Sequence, residues 1–329
     1  MPALRPRPRS LVRGLAAGAV GVMLALTGCA ADDIASGGDA SPAAGGGTGE
    51  TVVVGGANFT EALVLQALYV GVLEDAGYTT ETTTADSREI YFSELASGAI
   101  DVVPEYGATL AEFLNAQANG AEAAAATPLA STDVTETLDA ARPLAQEQGV
   151  ELLEPAEAVS GNGFAVTQAF AEENDLTTLS DLAALGRPLV IAATEECPGR
   201  PFCQGGLEEV YGLEFSSSLP TGFSSPATKT AVQSGEAQLA LVGTTDATLE
   251  QFGLVVLEDD QSFQAADNVV AAVTADLVDD AALVDALNSV AGVLTTEDIL
   301  ELNRQVDAER LQPSEVATAY LVEQGLIDG

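Results

Sequence analysis

The chain has 329 residues, of which 50 are acidic, 11 are basic and none is histidine, giving a formal net charge of −39 at pH 7. The lack of histidine excludes Ser-His-Asp and Cys-His catalysis and every zinc site built on imidazole. The charge repels nucleic acid and anionic lipid headgroups. An apolar share of 47% excludes a disordered chain, and the length suffices for one large domain or two medium lobes.

The chain opens with Arg5, Arg7, Arg9 and Arg13, followed by an apolar stretch over 15–26 that is too short for an ordinary membrane span. Leu26-Thr27-Gly28-Cys29 closes it. This pattern looks like a bacterial lipoprotein signal over 1–28, cut before Cys29, whose thiol then carries lipid. With the four leader arginines gone, 7 basic residues face 50 acidic ones, a net charge of −43. The acids are dispersed, as on a solvated surface. The body is expected on the outer face of the cytoplasmic membrane, lipid-anchored and touching the membrane through that anchor only. Residues 29–50 are rich in Ala, Gly, Ser and Asp and read as a flexible tether with a reach on the order of 25 Å.

Strands and helices then alternate. Residues 51–55 form a short buried strand. Residues 58–76 form a helix with Leu65, Leu68, Val72 and Leu73 on one face and Gly77 as its stop. A β-branched strand follows over 79–84, a helix over 88–97, and a strand over 99–103 ending at Pro104. The stretch 107–150 reads as helical, with an Ala-rich piece at 121–126, and 168–185 holds a further helix and turn. The plan then repeats, with a strand at 188–193, a helix at 206–211, a strand at 213–217, a helix at 225–234 and a strand at 237–242. Residues 254–260 are a strand running into an acidic turn, and 279–329 are terminal helices that pack back onto the first half. Two βαβαβ units of similar length imply two parallel-sheet lobes.

In such units ligands collect at the carboxyl ends of strands, facing helix N-termini. Here those ends carry Asn58, Phe59 and Thr60, then Glu105 and Tyr106, then Thr194, and finally Thr245 and Asp246. Once Cys29 is lipidated, Cys197 and Cys203 are the remaining cysteines. Six residues apart in an oxidising compartment, with Pro198, Gly199 and Pro201 between them, they read as a small disulfide loop contributing roughly 2 kcal/mol.

Two longer segments carry a resemblance. Val54-Gly-Gly-Ala-Asn-Phe-Thr-Glu61 precedes an apolar helix, and Glu94-Leu-Ala-Ser-Gly-Ala-Ile-Asp-Val-Val-Pro-Glu-Tyr-Gly107 follows it. With Gly199-Arg-Pro201, Leu207-Glu-Glu-Val-Tyr-Gly-Leu213, Leu257-Glu-Asp-Asp260 and Leu302-Asn-Arg-Gln-Val-Asp307, they resemble the glycine betaine/choline substrate-binding proteins of ABC importers, in the right order over about 51–329. The resemblance implies an α/β, type II periplasmic-binding-protein fold. Two parallel-sheet lobes, 51–158 with 257–329 and 159–256, are joined by two crossover segments. It implies a monomeric receptor that closes on one small solute and delivers it to a permease driven by a cytoplasmic ATPase, with no cofactor, no metal and no catalysis.

In that family a trimethylammonium head sits among tyrosines, each well-desolvated cation–π contact supplying up to about 2 kcal/mol, and a carboxylate is held by Lys, Thr and Arg. Tyr106 stands at the Pro-Glu-Tyr position as a cage residue, and Arg200 at the position of the cleft arginine. Other positions depart. Ala57 stands where the family has Lys, Asp86-Ser87-Arg88 where it has Gly-Gly-Thr, Gln204 where it has Tyr, and Phe263-Gln264-Ala265-Ala266 where it has Phe-Pro-Pro-Tyr. Tyr91, Phe59, Phe202 and Phe223 are the aromatic substitutes, and Arg88 is the substitute carboxylate clamp. A zwitterion or carboxylate, betaine-like compounds first, is the ligand expected from that clamp. Other readings stay open: a binding protein of the same fold for another solute such as an amino-acid derivative, a sensory receptor, and, behind these, a secreted enzyme working with carboxylates alone.

Overall fold

A computed structural model describes residues 51–329. The leader, Cys29 and the tether lie outside the described residues. The first lobe opens with β1 (Thr51–Val54), α1 (Thr60–Asp75), β2 (Thr79–Thr82), α2 (Arg88–Ala96) and β3 (Val102–Tyr106). It continues with α3 (Gly107–Asn119), α4 (Ala121–Ala126), α5 (Val134–Gln146) and β4 (Val150–Val159). The chain then crosses into β5 (Asn162–Thr167), α6 (Gln168–Glu173), α7 (Leu179–Ala184), β6 (Leu189–Ala193) and α8 (Gln204–Tyr211). After β7 (Phe215–Pro220), α9 (Pro226–Gln233), β8 (Leu239–Gly243) and β9 (Leu254–Leu257), it returns through β10 (Asn268–Thr274) to α10 (Ala281–Ala291), α11 (Thr296–Asp307) and α12 (Pro313–Glu323).

There are two five-stranded sheets, ordered β2-β1-β3-β10-β4 and β7-β6-β8-β5-β9. The expectation of parallel sheets needs correction, because both are mixed. β1 runs parallel to β2 and β3, whereas β10 runs antiparallel to both β3 and β4. In the second sheet β6 is parallel to β7 and β8, and β5 is antiparallel to β8 and β9. β5 enters the second sheet and β10 re-enters the first against the direction of the βαβ strands there, whereas β4 runs with those of the first sheet. Those crossing strands, β4, β5 and β10, are the elements that periodicity alone does not reveal. β4 holds Pro155 and several Glu and Ala residues, and β10 is buried on both faces, so neither alternates between apolar and polar. β3 begins and ends later than expected, because antiparallel β10 pairs with it past Pro104 as far as Tyr106.

Each sheet is covered on both faces. Val269, Ala271 and Val273 of β10 face a core shared with α1 and the terminal helices α10 to α12, so the chain end does pack back onto the first lobe. Val270 and Ala272 face the opposite core, with Tyr91 and Phe92 of α2, Leu110 and Leu114 of α3 and Leu138 of α5. In the second lobe α7 and α8 cover one face of the sheet and α9 the other. The two crossovers lie side by side, with the Ser160 N–H donating to the Asp267 carbonyl at 3.1 Å. Among the described residues no helix is long and apolar enough to cross a membrane.

Candidate functional site

A cavity of about 380 Å³ opens between the two sheets. Residues that follow β1, β2, β3, β6 and β7 line it, together with Leu241 of β8 and the first crossover at Ser160, Gly161 and Asn162. Phe59 occupies the extended position just before α1, and Tyr106 the corresponding position between β3 and α3. These two helix entries set their rings side by side, with centroids 6.4 Å apart and planes at 23°. Phe223 comes from the second lobe and meets Phe59 edge-on at 5.0 Å. Its neighbour Ser224 adopts a left-handed φ of 46°, and the Ser224 hydroxyl donates to Asp246. Tyr91, Phe113 and Phe202 complete an aromatic lining drawn from both lobes.

Phe202 and Arg200 lie on the loop closed by the Cys197–Cys203 disulfide. The Phe202 carbonyl accepts from Asn162 at 2.9 Å and from Gln264 at 3.0 Å. A Cβ at Gly206 would collide with the Pro201 carbonyl oxygen, so this loop sits against the start of α8 only because that position is glycine. Arg200 reaches across to the first lobe and donates to Glu89 at 2.7 Å, with Glu196 of its own loop at 3.4 Å.

Arg88 is buried, and its guanidinium donates through Nε and Nη2 to Glu105, with the shortest contact at 2.8 Å, and to Thr109 at 2.9 Å. Burial works against the arginine's charge. Glu105, with Tyr91 and Asp267 nearby, more than offsets that, so its pKa lies above the ordinary value. Arg88 therefore lines the cavity as half of an ion pair with Glu105. Tyr91 and Tyr106 are both held above the usual phenol range, by burial first and by nearby carboxylates second, and they remain neutral.

Glu61 was not singled out in the sequence, where a glutamate in the first turn of a helix suits the helix dipole and needs no other role. In the structure it lines the cavity and gathers donors from both lobes. The Tyr106 hydroxyl donates at 2.8 Å, Asn303 of α11 donates at 2.8 Å, and the Thr245 hydroxyl donates from the second lobe. Asp267 was missed as well. Its Oδ1 accepts from the backbone N–H groups of Ala108 and Thr109 at the start of α3, and burial raises its pKa to about 6.

Of the expected ligand residues, Tyr106, Phe59, Thr194, Arg88 and Arg200 line the cavity. Five others do not. Asn58 is exposed, and Thr60 turns back to donate to Asp307. Glu105 is fully buried behind Arg88, and Thr245 is buried against Glu61 and Ser160. Asp246 accepts from Lys229 at 2.6 Å inside the second lobe. Burial opposes the Asp246 charge, yet Lys229, Ser224 and Thr248 together hold its pKa below the ordinary carboxylate value. Strand-end position put these residues near the cleft. Which way each side chain turned was settled by partners distant in sequence.

Two mixed α/β sheets facing each other across an aromatic cavity, with two adjacent crossovers behind it, define a bilobed solute receptor. Residues 50–323 match the family described as the substrate-binding domain of ABC-type glycine betaine transport systems, and the chain belongs to this family. It is 28% identical to a glycine-betaine-binding protein of Pseudomonas aeruginosa, over 87% of this chain and 92% of that one. It is 26% identical to the glycine betaine-binding protein YehZ of Escherichia coli, over 83% of this chain and 90% of that one. The structure of apo YehZ superposes with a TM-score of 0.57 at 25% identity, covering 84% of this chain and 99% of that one. The chain is thus an extracytoplasmic solute-binding component of an ABC transport system and not an enzyme.

Proposed function

We propose that this receptor takes up a quaternary-ammonium osmolyte of the glycine betaine, choline and carnitine group, lipid-anchored through Cys29 on the outer face of the cytoplasmic membrane and working as a monomer. The observation that carries the ligand class is the aromatic lining, in which Phe59, Tyr106 and Phe223 converge on one cavity from both lobes. Such faces attract a desolvated cation that cannot donate hydrogen bonds. Named relatives of the chain bind glycine betaine or carnitine.

Mechanism follows from where the contacts lie. Residues 51–158 with 257–329 form one body and 159–256 the other, turning about the paired crossovers. Phe59 with Phe223, Glu61 with Thr245, and Glu89 with Arg200 are contacts between these bodies and require a closed cleft. A ligand touching both walls adds to them and shifts the population toward closure, the form a permease would recognise. The test is a thermal-shift panel of glycine betaine, proline betaine, choline, carnitine and common amino acids on the purified chain. A saturable rise in midpoint with a quaternary-ammonium compound is expected. A rise with amino acids alone would refute the ligand class.

A further inference from the structure

Resting on the ligand class just proposed, we infer that the cleft selects a quaternary cation without a carboxylate over its zwitterionic counterpart, because Glu105 and Glu89 already occupy both guanidinium groups that line it. Arg88 and Arg200 are the two cationic side chains at the cavity among the described residues. Arg88 is held by Glu105 through two nitrogens, and Arg200 is held by Glu89 across the cleft and by Glu196 beside it. Glu61, Asp86, Glu112 and Asp267 line the same cavity in addition to Glu89 and Glu196.

The balance of charge therefore favours a cation twice over. The aromatic faces attract it, and the surplus carboxylates supply its counter-charge without the ligand bringing its own. A ligand carboxylate meets the opposite situation. To gain a guanidinium it must displace a glutamate that is already bonded, and the displaced glutamate is then left unpaired in a partly dry cleft. The start of α2 would ordinarily suit an anion, and no side chain caps it. Here, however, Asp86 and Glu89 flank that helix end and both line the cavity. Discrimination then arises from repulsion of the wrong ligand as much as from attraction of the right one.

Calorimetric titration of the full chain with choline, glycine betaine and carnitine tests this. Choline is expected to bind at least tenfold more tightly than either zwitterion. Equal or tighter binding of glycine betaine would overturn the inference while leaving the quaternary-ammonium assignment intact, whereas failure of all three to bind would overturn that assignment itself. Glu105→Gln removes the carboxylate partner of Arg88, and Glu89→Gln leaves Arg200 with only the longer contact to Glu196; each is expected to lower the choline-to-betaine affinity ratio severalfold. The ratio cancels any general effect on closure. Glu89 is exposed, so its variant folds even where the buried Glu105→Gln does not. A ratio left at the wild-type value by every folded variant overturns the roles assigned to these glutamates.

Discussion

Replacing Asp246 by alanine would separate a structural carboxylate from a ligand-binding one. Lys229 and Asp246 are 5% and 6% exposed, and their charged atoms lie 2.6 Å apart. Lys229 also donates to Thr248 at 2.7 Å and lies 5.4 Å from the Phe252 ring centroid. Removing the carboxylate leaves an ammonium with hydroxyl and aromatic partners only, at a cost of about 3–5 kcal/mol for a broken buried pair. In a body of this size that corresponds to a fall in melting temperature on the order of 10 °C. Because the pKa of Asp246 is depressed in the folded state, its contribution is present above the unfolded value and is lost as pH falls through the folded one. The gap between wild type and variant should therefore be full at neutral pH and close in acid. Scanning calorimetry across pH measures it, and a Lys229→Met, Asp246→Leu double variant should recover much of the loss. Ligand affinity should change less than stability, the remaining effect passing through Ser224 to Phe223. An Asp246→Ala protein that melts like wild type yet no longer binds ligand would refute the reasoning.

The aromatic wall makes its own prediction: Tyr106→Leu and Phe223→Leu should each weaken binding of a quaternary-ammonium ligand by about 3- to 30-fold by calorimetry, the range of one partly desolvated cation–π contact. Asp267 predicts the pH dependence of binding. Burial raises its carboxyl to about 6, so its contribution to folding is greatest below the ordinary carboxylate range and is lost as pH rises through about 6. Affinity for a cation should move the other way, tightening between pH 5 and pH 7 as Asp267 ionises, and Asp267→Asn should flatten that dependence. With 50 acidic residues and so few basic ones, self-repulsion opposes the folded state, so the melting temperature should rise as sodium chloride is added from low ionic strength, and a flat response would argue against it.

The sequence by itself determined the alternation of strands and helices, the repetition of that plan in two halves, the return of the terminal helices to the first lobe and the loops that face the cleft. These follow from local periodicity and from stop signals such as Gly77, which has a positive φ of 95°. It also placed Phe59 and Tyr106 at strand ends and Phe202 in the disulfide loop, and the structure finds all three around one cavity. Tertiary structure alone decided the direction of the crossing strands, because antiparallel entry by β5 and β10 is a property of the path between sheets and not of any residue pattern. It alone decided which charges are committed as well. Arg88 meets a glutamate 17 residues away and Arg200 one 111 residues away, while Glu61 collects donors 45, 184 and 242 residues distant. A charged side chain in a half-buried cleft takes whichever opposite charge or donor the fold brings within about 3 Å, because leaving it unpaired there is costly. That choice is made by tertiary packing, within the first lobe for Arg88 and between lobes for Arg200, where local sequence has no influence.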